Sequence, residues 1–513
     1  MKQIGINLLI LALSFITISA RADDAVLING IYYNLIPKAN LAEVDRNPQK
    51  YEGNIVIPEK VTYEGTVYKV TKISSSSFYG CKKMTSISIP PSVTTIESSF
   101  EDCKQLKEVH ISDIAAWTQI DFTFYRNNPL RYARHLYLDD KEVKDLILPS
   151  NISKVNAYAF LGCNSLVNLV IPNNVTELGQ EAFRLCDNLK TVDMGEGLSI
   201  IDYWAFNDCV SLESVVISSK IRELDQTFIN SSNIKEVIIP NSVTRINYAF
   251  EGCTSLSSVK FGSGLKSLCH YAFKNCPLVS ITVDSNNMYL DSRNNCNAVI
   301  DKNINQLLLG SASTVIPNDV ISIGESAFMG NVQLTSINIP NSVRTIGHDA
   351  FNGCKNLKKI VVGNGLKSVG KKTFCNCKEL TDFYCYSELN PYAYSGTFDN
   401  SYIEYATLHV PSSSIEYYRT TDPWKRFGSI VAITNGTSID TPINNAYTIN
   451  CQSNVISIGG LSDNTIVTVY DCLGHLLQKS KSVGCNMSIE IDLPKGSLSF
   501  VKIGDKVVKV LIK

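Results

Sequence analysis

The sequence predicts a mostly β solenoid of stacked 22–23-residue coils with parallel strands, followed by a small C-terminal β-sandwich. Two observations carry this prediction. Phenylalanine recurs at a nearly constant interval through most of the chain, and the apolar residues between successive phenylalanines keep their offsets. One such unit cannot bury its own apolar face, so equivalent residues of stacked units must form a shared core.

The composition is that of a folded protein without a strong charge bias. The 513 residues include 47 Lys and Arg against 48 Asp and Glu, with 44% hydrophobic and 19% charged residues. A nucleic-acid partner usually requires a basic excess, so none is expected. After the N-terminus no run of 18 or more apolar residues occurs, so we expect no transmembrane segment.

The N-terminal 22 residues have the pattern of a secretory signal peptide. Lys2 precedes an apolar run over residues 4–18, and the small residues Ala20 and Ala22 follow it. This order is typical of a segment removed on export. Residues 23–77, with short strand patterns at residues 31–33 and 53–58, are expected to form an N-terminal cap.

Residues 78–433 carry the repeat. The unit reads A-F-x-x-C-x-x-L-x-x-V-x-I-P-x-S-V-T-x-I, in which V-x-I predicts a short strand with one face inward and the proline ends that strand. Successive anchors lie 22 or 23 residues apart in three runs: Phe78 and Phe100; Phe160, Phe183, Phe206, Phe228, Phe250 and Phe273; and Phe328, Phe351 and Phe374.

Nine of the 16 cysteines share one repeat position, three residues after the anchor: Cys81, Cys103, Cys163, Cys186, Cys209, Cys253, Cys276, Cys354 and Cys377. Side chains in such a column point the same way, which suits buried free thiols better than bridges. Ser231 and Asn331 replace cysteine at this offset, so no partner thiol is needed there. Disulfides, which are common in exported proteins, and a metal site remain the alternatives.

The rhythm breaks twice, and each break predicts a hairpin insertion. The first contains a degenerate coil anchored at Phe124 and a hairpin over residues 134–148. The second, residues 286–301, is rich in Asn and Asp, which favours polar turns before a hairpin; a cation loop is the alternative. Large aromatic residues at the end of the array predict a C-terminal cap: Tyr417, Tyr418, Trp424 and Phe427.

Residues 434–513 depart from the repeat. A polar linker precedes seven short alternating segments in about 70 residues, a pattern typical of a small β-sandwich.

The repeated unit resembles the BspA-like (treponemal-type) leucine-rich repeat of bacterial surface proteins over about residues 60–433. The resemblance implies a curved solenoid that adheres to host or matrix proteins or to other cells, with no shared catalytic residues. Residues 469–474 and 500–513 resemble the C-terminal sorting domain of the type IX secretion system. That second resemblance implies sorting or anchoring at the surface of a Gram-negative bacterium, or release from it.

Little in the sequence points to catalysis. The six histidines share no repeat offset and no metal-ligand spacing, and no G-x-S-x-G motif occurs. We therefore predict no catalytic residue, metal or cofactor, and no enzyme. A polysaccharide lyase or hydrolase on a parallel β-helix is the alternative, but it needs converging acidic or basic groups.

The predicted binding site is the outward strand column, ten residues after each anchor. Its members are Ser88, His110, Val170, Asp193, Val216, Ile238, Lys260, Asn338, Val361 and Tyr384. We predict that an extracellular protein binds a monomer of this chain at Val170, Asp193, Val216, Ile238 and Lys260, flanked by Glu108 and Glu236. Solvated β-branched strand residues are the simpler interpretation. A surface glycan is the alternative ligand, and it would need Trp117, Tyr125 and Tyr384 exposed together.

Overall fold

The computed structural model of the chain describes residues 25–433, 448–452, 455–461, 464–471, 475–484, 486–492, 498–503 and 506–511. The predicted signal peptide, residues 1–22, lies outside the described residues. The chain forms two compact units, one ending at Ala432 and the other beginning at Ile433. Among the described residues no helix is long and apolar enough to cross a membrane.

The N-terminal residues form a mainly antiparallel cap on which the array begins. The alternation of apolar and polar residues at residues 31–36 and 53–56 produces strands, as predicted. The strands are β1 (Val26–Ile28), β2 (Ile31–Ile36), β3 (Leu41–Val44), β4 (Gly53–Val56), β5 (Lys60–Tyr63) and β6 (Thr66–Ile73), with a 3-10 turn at Pro37–Ala39. The first coils add β7 (Met84–Ser88), β8 (Thr95–Ile96) and β9 (Glu108–Ile111).

The first insertion contains short helices and the predicted hairpin. Its elements are α1 (Ile114–Thr118), a 3-10 turn (Tyr125–Asn127), α2 (Leu130–Ala133), β10 (His135–Leu138) and β11 (Lys141–Glu142). The two strands pair antiparallel, with Leu138 opposite Lys141. The prediction that Phe124 anchors a coil is wrong, because its side chain is 49% exposed. Trp117 on α1 fills the core instead, packed against Phe122 and donating its indole N–H to Ala159 O at 2.8 Å.

In the central coils each unit contributes a first strand from V-x-I and a shorter second strand from T-x-I. They are β12 (Asp145–Ile147), β13 (Lys154–Val155), β14 (Asn168–Val170), β15 (Glu177–Leu178), β16 (Thr191–Asp193), β17 (Ile200–Ile201), β18 (Ser214–Val216), β19 (Glu223–Asp225), β20 (Glu236–Ile239), β21 (Arg245–Asn247), β22 (Ser258–Phe261), β23 (Ser267–Leu268) and β24 (Ser280–Val283). First strands stack on first strands and second strands on second strands, always parallel.

The second insertion is a hairpin preceded by polar turns, as predicted. Its elements are β25 (Leu290–Asp291), a 3-10 turn (Arg293–Asn295), β26 (Ala298–Asp301) and β27 (Gln306–Gly310). Asn287 is buried and donates to the carbonyls of Gly262 and Leu265, so it ties the insertion to the preceding coil. The polar side chains therefore satisfy backbone groups.

The array ends in three further coils and an aromatic cap. The elements are β28 (Ser322–Ile323), β29 (Ser336–Ile339), β30 (Thr345–Ile346), β31 (Lys359–Val362), β32 (Ser368–Val369), β33 (Asp382–Cys385), β34 (Tyr392–Ala393), β35 (Thr407–Val410), α3 (Ile415–Thr420) and β36 (Ser429–Ala432), with 3-10 turns at Ile403–Tyr405, Ser412–Ser414 and Trp424–Arg426. Tyr418, Trp424 and Phe427 are buried against the last coil, and Tyr417 is half-buried beside them. The predicted cap is present.

The phenylalanine column is the centre of the core. Consecutive anchors lie with ring centroids 4.8 to 5.7 Å apart and nearly parallel planes. Phe206, in the middle, has no exposed surface. An inner ring of a run, such as that of Phe206, therefore has an aromatic neighbour on each side, which favours the same large residue in successive coils.

The nine column cysteines are free and buried. In every coil of a run except the first, the column cysteine donates its thiol to the carbonyl oxygen of the preceding anchor. Cys209 Sγ, for example, lies 3.2 Å from Phe183 O. The same contact is made by Cys103, Cys186, Cys253, Cys276, Cys354 and Cys377. Ser231 donates to Phe206 O at 2.8 Å in the same way. Cysteine and serine both place a buried donor at this position. Asn331, the other replacement, is buried too and donates to Leu278 O at 2.9 Å.

Burial also keeps these thiols protonated. Loss of solvation disfavours the thiolate and raises the pKa of Cys103 and Cys354 to about 12. A protonated thiol donates a hydrogen bond and is a poor nucleophile, so the column is chemically inert near neutral pH.

The C-terminal unit has all seven strands that the sequence predicts. They are β37 (Thr448–Gln452), β38 (Val455–Gly459), β39 (Ile466–Asp471), β40 (Leu476–Lys481), β41 (Asn486–Glu490), β42 (Leu498–Ile503) and β43 (Lys506–Leu511). They form a three-stranded sheet, β37-β38-β41, and a four-stranded sheet, β40-β39-β42-β43, both antiparallel. Inward residues such as Ile456, Val467 and Val501 form one core between them.

Candidate binding surface

The outward column of the first strands is set by the alternation of the strand. In β16 the central Val192 is buried, so the flanking Thr191 and Asp193 must face solvent. Parallel pairing then aligns equivalent residues, with Val170 opposite Asp193 and Asp193 opposite Val216. Residues ten positions after successive anchors therefore do share one face.

The predicted run of five residues is divided between two sheets. Val170, Asp193 and Val216 belong to the sheet β12-β14-β16-β18, and Ile238 and Lys260 to the sheet β20-β22-β24. The break falls in the coil that starts at Phe206, the first of two 22-residue coils. This coil pairs with the preceding coil through β18 and with the following coil through β19. The surface is thus two adjoining patches and not one uniform ladder.

The apolar members of the column are well exposed. The exposed fractions are 38% for Val170, 65% for Val216 and 60% for Ile238. A fourth residue, Ile147, is 69% exposed and lies opposite Val170 on the neighbouring strand. Ile147 was not predicted, because its strand follows the first insertion and is not ten residues after an anchor phenylalanine. The alternation of buried Leu146, exposed Ile147 and buried Leu148 is nevertheless that of a strand. We call Ile147, Val170, Val216 and Ile238 the strand patch.

A polar ladder runs beside the first part of the strand patch. The amide of Asn168 donates to Asp145 Oδ1 at 2.6 Å, and Thr191 Oγ1 donates to Asn168 Oδ1 at 2.7 Å. These residues lie two positions before Ile147, Val170 and Asp193 in the same strands. Apolar side chains and a hydrogen-bonded polar row thus lie next to each other on one sheet.

The charged residues of the predicted site have partners. Lys260 Nζ lies 2.9 Å from Glu236 Oε1, so the two charges largely cancel. Asp193 accepts a hydrogen bond from the backbone N–H of Gly195 at 3.0 Å and is exposed. Of the four charged residues predicted for the site, Asp193 is therefore the one without an ionic partner among the described residues.

Glu108 does not join this site. It lies on β9, in the sheet β11-β10-β9-β7-β4, where its carboxylate contacts His110 Nε2 at 3.1 Å. The other ring nitrogen of His110 lies 3.2 Å from Asp140, and its ring stacks on Tyr137. The structure thus places Glu108 in a separate cluster.

A shallow open groove of about 550 Å³ lies at the carboxyl ends of β20, β22 and β24. Ile238, Lys260 and Thr282 form its strand side, and Pro240 and Asp284 its turn side. The groove therefore adjoins the strand patch at Ile238.

The repeats that carry these surfaces match a known protein family. The family model for the BspA type leucine rich repeat region, in six copies, matches residues 58–135, 132–248, 225–306 and 299–419. The chain belongs to this family. The matches to the BspA-type repeat thus extend over residues 58–419, including both insertions.

Solved structures of other bacterial repeat proteins are similar. A leucine rich cell surface protein from Faecalibacterium prausnitzii A2-165 is 23% identical, over 82% of this chain and 97% of that one, with a TM-score of 0.46. A leucine-rich repeat protein from Bacteroides ovatus ATCC 8483 is also 23% identical, over 80% and 100% of the two chains, with a TM-score of 0.46. No curated protein matches the chain in sequence at a significant level.

Within this BspA-type array the residues predicted for a glycan do not come together. A glycan ligand would need Trp117 exposed together with Tyr125 and Tyr384, but Trp117 is buried in the core. Tyr384 stacks on His409 with centroids 4.0 Å apart, beneath Lys359. Val361, also predicted to face solvent, is only 9% exposed beside Tyr384.

The described residues of the BspA-type chain contain no group of three or more His, Cys, Asp or Glu that could hold a metal ion. His409 contacts Asp382 at 3.0 Å, and His110 contacts Glu108, but each pair is separate.

Proposed function

We propose that this BspA-type protein is an exported protein-binding module, acting as a monomer, that attaches to an extracellular protein of a host, a matrix or another cell. The observation that carries the proposal is the strand patch. Four large apolar side chains lie exposed in one outward column of the first strands, whereas the other exposed apolar residues of these coils, Ile200, Tyr203 and Val210, lie outside that column. Exposed apolar groups ringed by polar ones are typical of protein interfaces.

The surroundings of the strand patch support a protein ligand. The ladder of Asp145, Asn168 and Thr191 gives hydrogen-bonding groups at one border. Lys260 and Glu236 lie at the other border, where their salt bridge is exposed and contributes little to stability. A partner with complementary charges at this border would be oriented by them, and its association rate would increase.

The patch size fits a modest interface. Each exposed Val or Ile that becomes buried on binding contributes roughly 1–2 kcal/mol through removal of apolar surface from water. Four such residues form the centre of a standard interface, whose remaining contacts exclude water.

Cell-surface location is part of the proposal. It rests on the predicted signal peptide, on the family, and on the similarity of the C-terminal residues to a sorting domain. We infer that residues 434–513 serve in export or anchoring at the surface of a Gram-negative bacterium. A surface glycan is a weaker candidate for the ligand of the strand patch, since Trp117, which it would need exposed together with Tyr125 and Tyr384, is buried.

The test is a pair of double variants compared on purified matrix proteins, collagen and laminin among them. Val216→Asp with Ile238→Asp places two charges at the centre of the strand patch, and we expect a Kd at least about 30-fold higher. Ile304→Asp with Val315→Asp is the matched control, because both residues are exposed and lie away from the patch. Surface plasmon resonance measures the affinities, and urea unfolding checks that both variants stay folded.

The proposal fails if the first double variant folds normally and binds as tightly as the control. Equal loss in both variants would also contradict it, because binding would then depend on general surface polarity.

A further inference from the structure

The coils between residues 341 and 380 are strongly basic, unlike the chain as a whole. They contain eight Lys or Arg and two Asp or Glu, whereas the whole chain has a net charge of −1. Arg344, Lys367, Lys371 and Lys372 of this segment are all exposed.

Among the described residues, no cation of this segment has a carboxylate partner, whereas several cations of earlier coils do. Earlier in the array, charges pair with the next coil: Lys154 with Glu177 at 2.5 Å and Lys274 with Glu251 at 2.7 Å. Within the described part of the chain, neither Lys367 nor Lys371 lies within 4.0 Å of a carboxylate oxygen. The positive potential here is therefore not cancelled locally and attracts anions.

The second strands bring these cations to one face. Thr345 lies opposite Ser368, and Ser368 opposite Tyr392, in the parallel sheet of β30, β32 and β34. Arg344 and Lys367, the residues before β30 and β32, are also adjacent, since the backbone N–H of Lys367 donates to Arg344 O at 2.8 Å. After the strands, the backbone N–H of Lys371 donates to His348 Nδ1 at 2.7 Å. Arg344 and Lys367 are thus neighbours before these strands, and His348 and Lys371 are neighbours after them.

Two exposed tyrosines complete the face. Tyr392 is 58% exposed and Tyr394 is 43% exposed, with centroids 5.1 Å apart and planes at 76°. The ring of Tyr394 also lies 5.7 Å from His348, two coils away. Gly370 lies between them, where an added Cβ would be 2.6 Å from the backbone of Gly347 and His348. We call Arg344, His348, Lys367, Lys371, Tyr392 and Tyr394 the basic–aromatic face.

We propose that the basic–aromatic face binds an anionic polysaccharide, one that carries carboxylate or sulfate groups on its sugar rings. Lys and Arg side chains bind such anions, and Arg does so with a planar fork. The faces of Tyr392 and Tyr394 offer apolar surface with a polar tip, which suits the C–H face of a sugar ring. Ser368 and Thr345, between them and Arg344, supply hydroxyls for hydrogen bonds to the sugar.

The position of this face separates it from the strand patch. It uses second strands of the last coils, whereas the strand patch uses first strands of the central coils. Glu325, in the same repeat position as His348 and Lys371, marks its border on the N-terminal side. Polysaccharide binding is therefore independent of the protein ligand proposed above.

The test uses heparin and hyaluronan as anionic polysaccharides and dextran as the neutral one, with the full chain. We expect both anionic polymers to bind, with affinity falling steeply as NaCl increases, and dextran not to bind. Lys367→Gln with Lys371→Gln should raise the Kd for heparin about tenfold at 0.15 M salt. Lys220→Gln with Lys235→Gln removes two exposed lysines elsewhere and should change it less than about twofold.

Tyrosine variants decide whether sugar rings or charge alone are recognised. Tyr392→Ala with Tyr394→Ala should weaken heparin binding about fivefold and leave binding of polyglutamate, a polyanion without sugar rings, unchanged. Urea unfolding verifies that the variants remain folded. The assignment is overturned if neither anionic polysaccharide binds, if both lysine pairs have the same effect, or if the tyrosine variant binds heparin normally. Tighter binding to phosphatidylglycerol vesicles than to either polysaccharide would assign the face to a membrane instead.

Discussion

The inward and outward columns of the same coils follow different rules. Inward, the anchor position is phenylalanine in coil after coil, and the position three residues later is cysteine in all but two coils, where Ser231 and Asn331 replace it. Outward, the strand column changes from Val170 to Asp193 to Val216. Inside the array each side chain contacts equivalents above and below, so one residue type must fit both neighbours. Outside it solvent accepts any side chain, and the variation there is free to determine ligands.

The largest effect should follow from interrupting the phenylalanine column. Phe206→Ala removes a ring that is fully buried and stacked on Phe183 and Phe228 at 5.5 and 5.7 Å. We expect a loss of about 3–5 kcal/mol in the free energy of unfolding, because the cavity lies between coils that cannot collapse independently.

The measurement is urea unfolding followed by tryptophan fluorescence and circular dichroism. Val210→Ala, at an exposed position of the same coil, is the control and should shift the free energy of unfolding by less than about 0.5 kcal/mol. A loss below about 1 kcal/mol for Phe206→Ala would mean that the aromatic column is not the main core.

The cysteine column should show a smaller effect that depends on the donor. Cys209→Ala removes both the sulfur and the bond to Phe183 O, leaving a buried carbonyl short of a partner. We expect a cost of about 1–3 kcal/mol. Cys209→Ser keeps a donor, as Ser231 does one coil later, and should cost clearly less than the alanine variant.

Chemical denaturation of both variants measures the difference. Alkylation of the parent under denaturing, non-reducing conditions, followed by mass spectrometry, tests the free thiols directly. Native disulfides among the column cysteines, or equal costs for Ala and Ser, would contradict the donor role.

The inward columns explain why the sequence predicted most of the array. Strand, turn, anchor and cysteine positions all follow from contacts repeated in every coil, so a constant offset identifies them. Phe124 shows where this reasoning fails. Phe124 is followed by residues at the offsets of an anchor, but helix α1 of the insertion places Trp117 in the core instead. Because α1 is not part of the repeat, counting repeat positions could not predict that Trp117 is buried.

The outward surfaces were only partly predictable. Alternation identified Val170, Val216 and Ile238 as exposed, but it could not show that the sheet breaks between β18 and β20. It also could not show that Lys260 is paired with Glu236, because rotamers and neighbouring coils decide such contacts. Tyr394 was missed since its neighbour His348 lies two coils earlier in the chain and is brought near by stacking.

The smallest effect should come from the outward side of a single strand, where the comparison is sharpest. In β12, Leu146 is buried and the next residue, Ile147, is 69% exposed. Leu146→Ala should cost about 2–4 kcal/mol, because it opens a cavity below the sheet. Ile147→Thr keeps the β-branched shape that suits a strand and should change the free energy of unfolding by less than about 0.5 kcal/mol. Its effect should appear in ligand affinity instead, as a Kd raised about threefold to tenfold through loss of apolar contact. Urea unfolding and surface plasmon resonance on the same preparations separate the two quantities. If Ile147→Thr destabilised the fold as much as Leu146→Ala, the side chain would be part of the core, and the strand patch would begin at Val170.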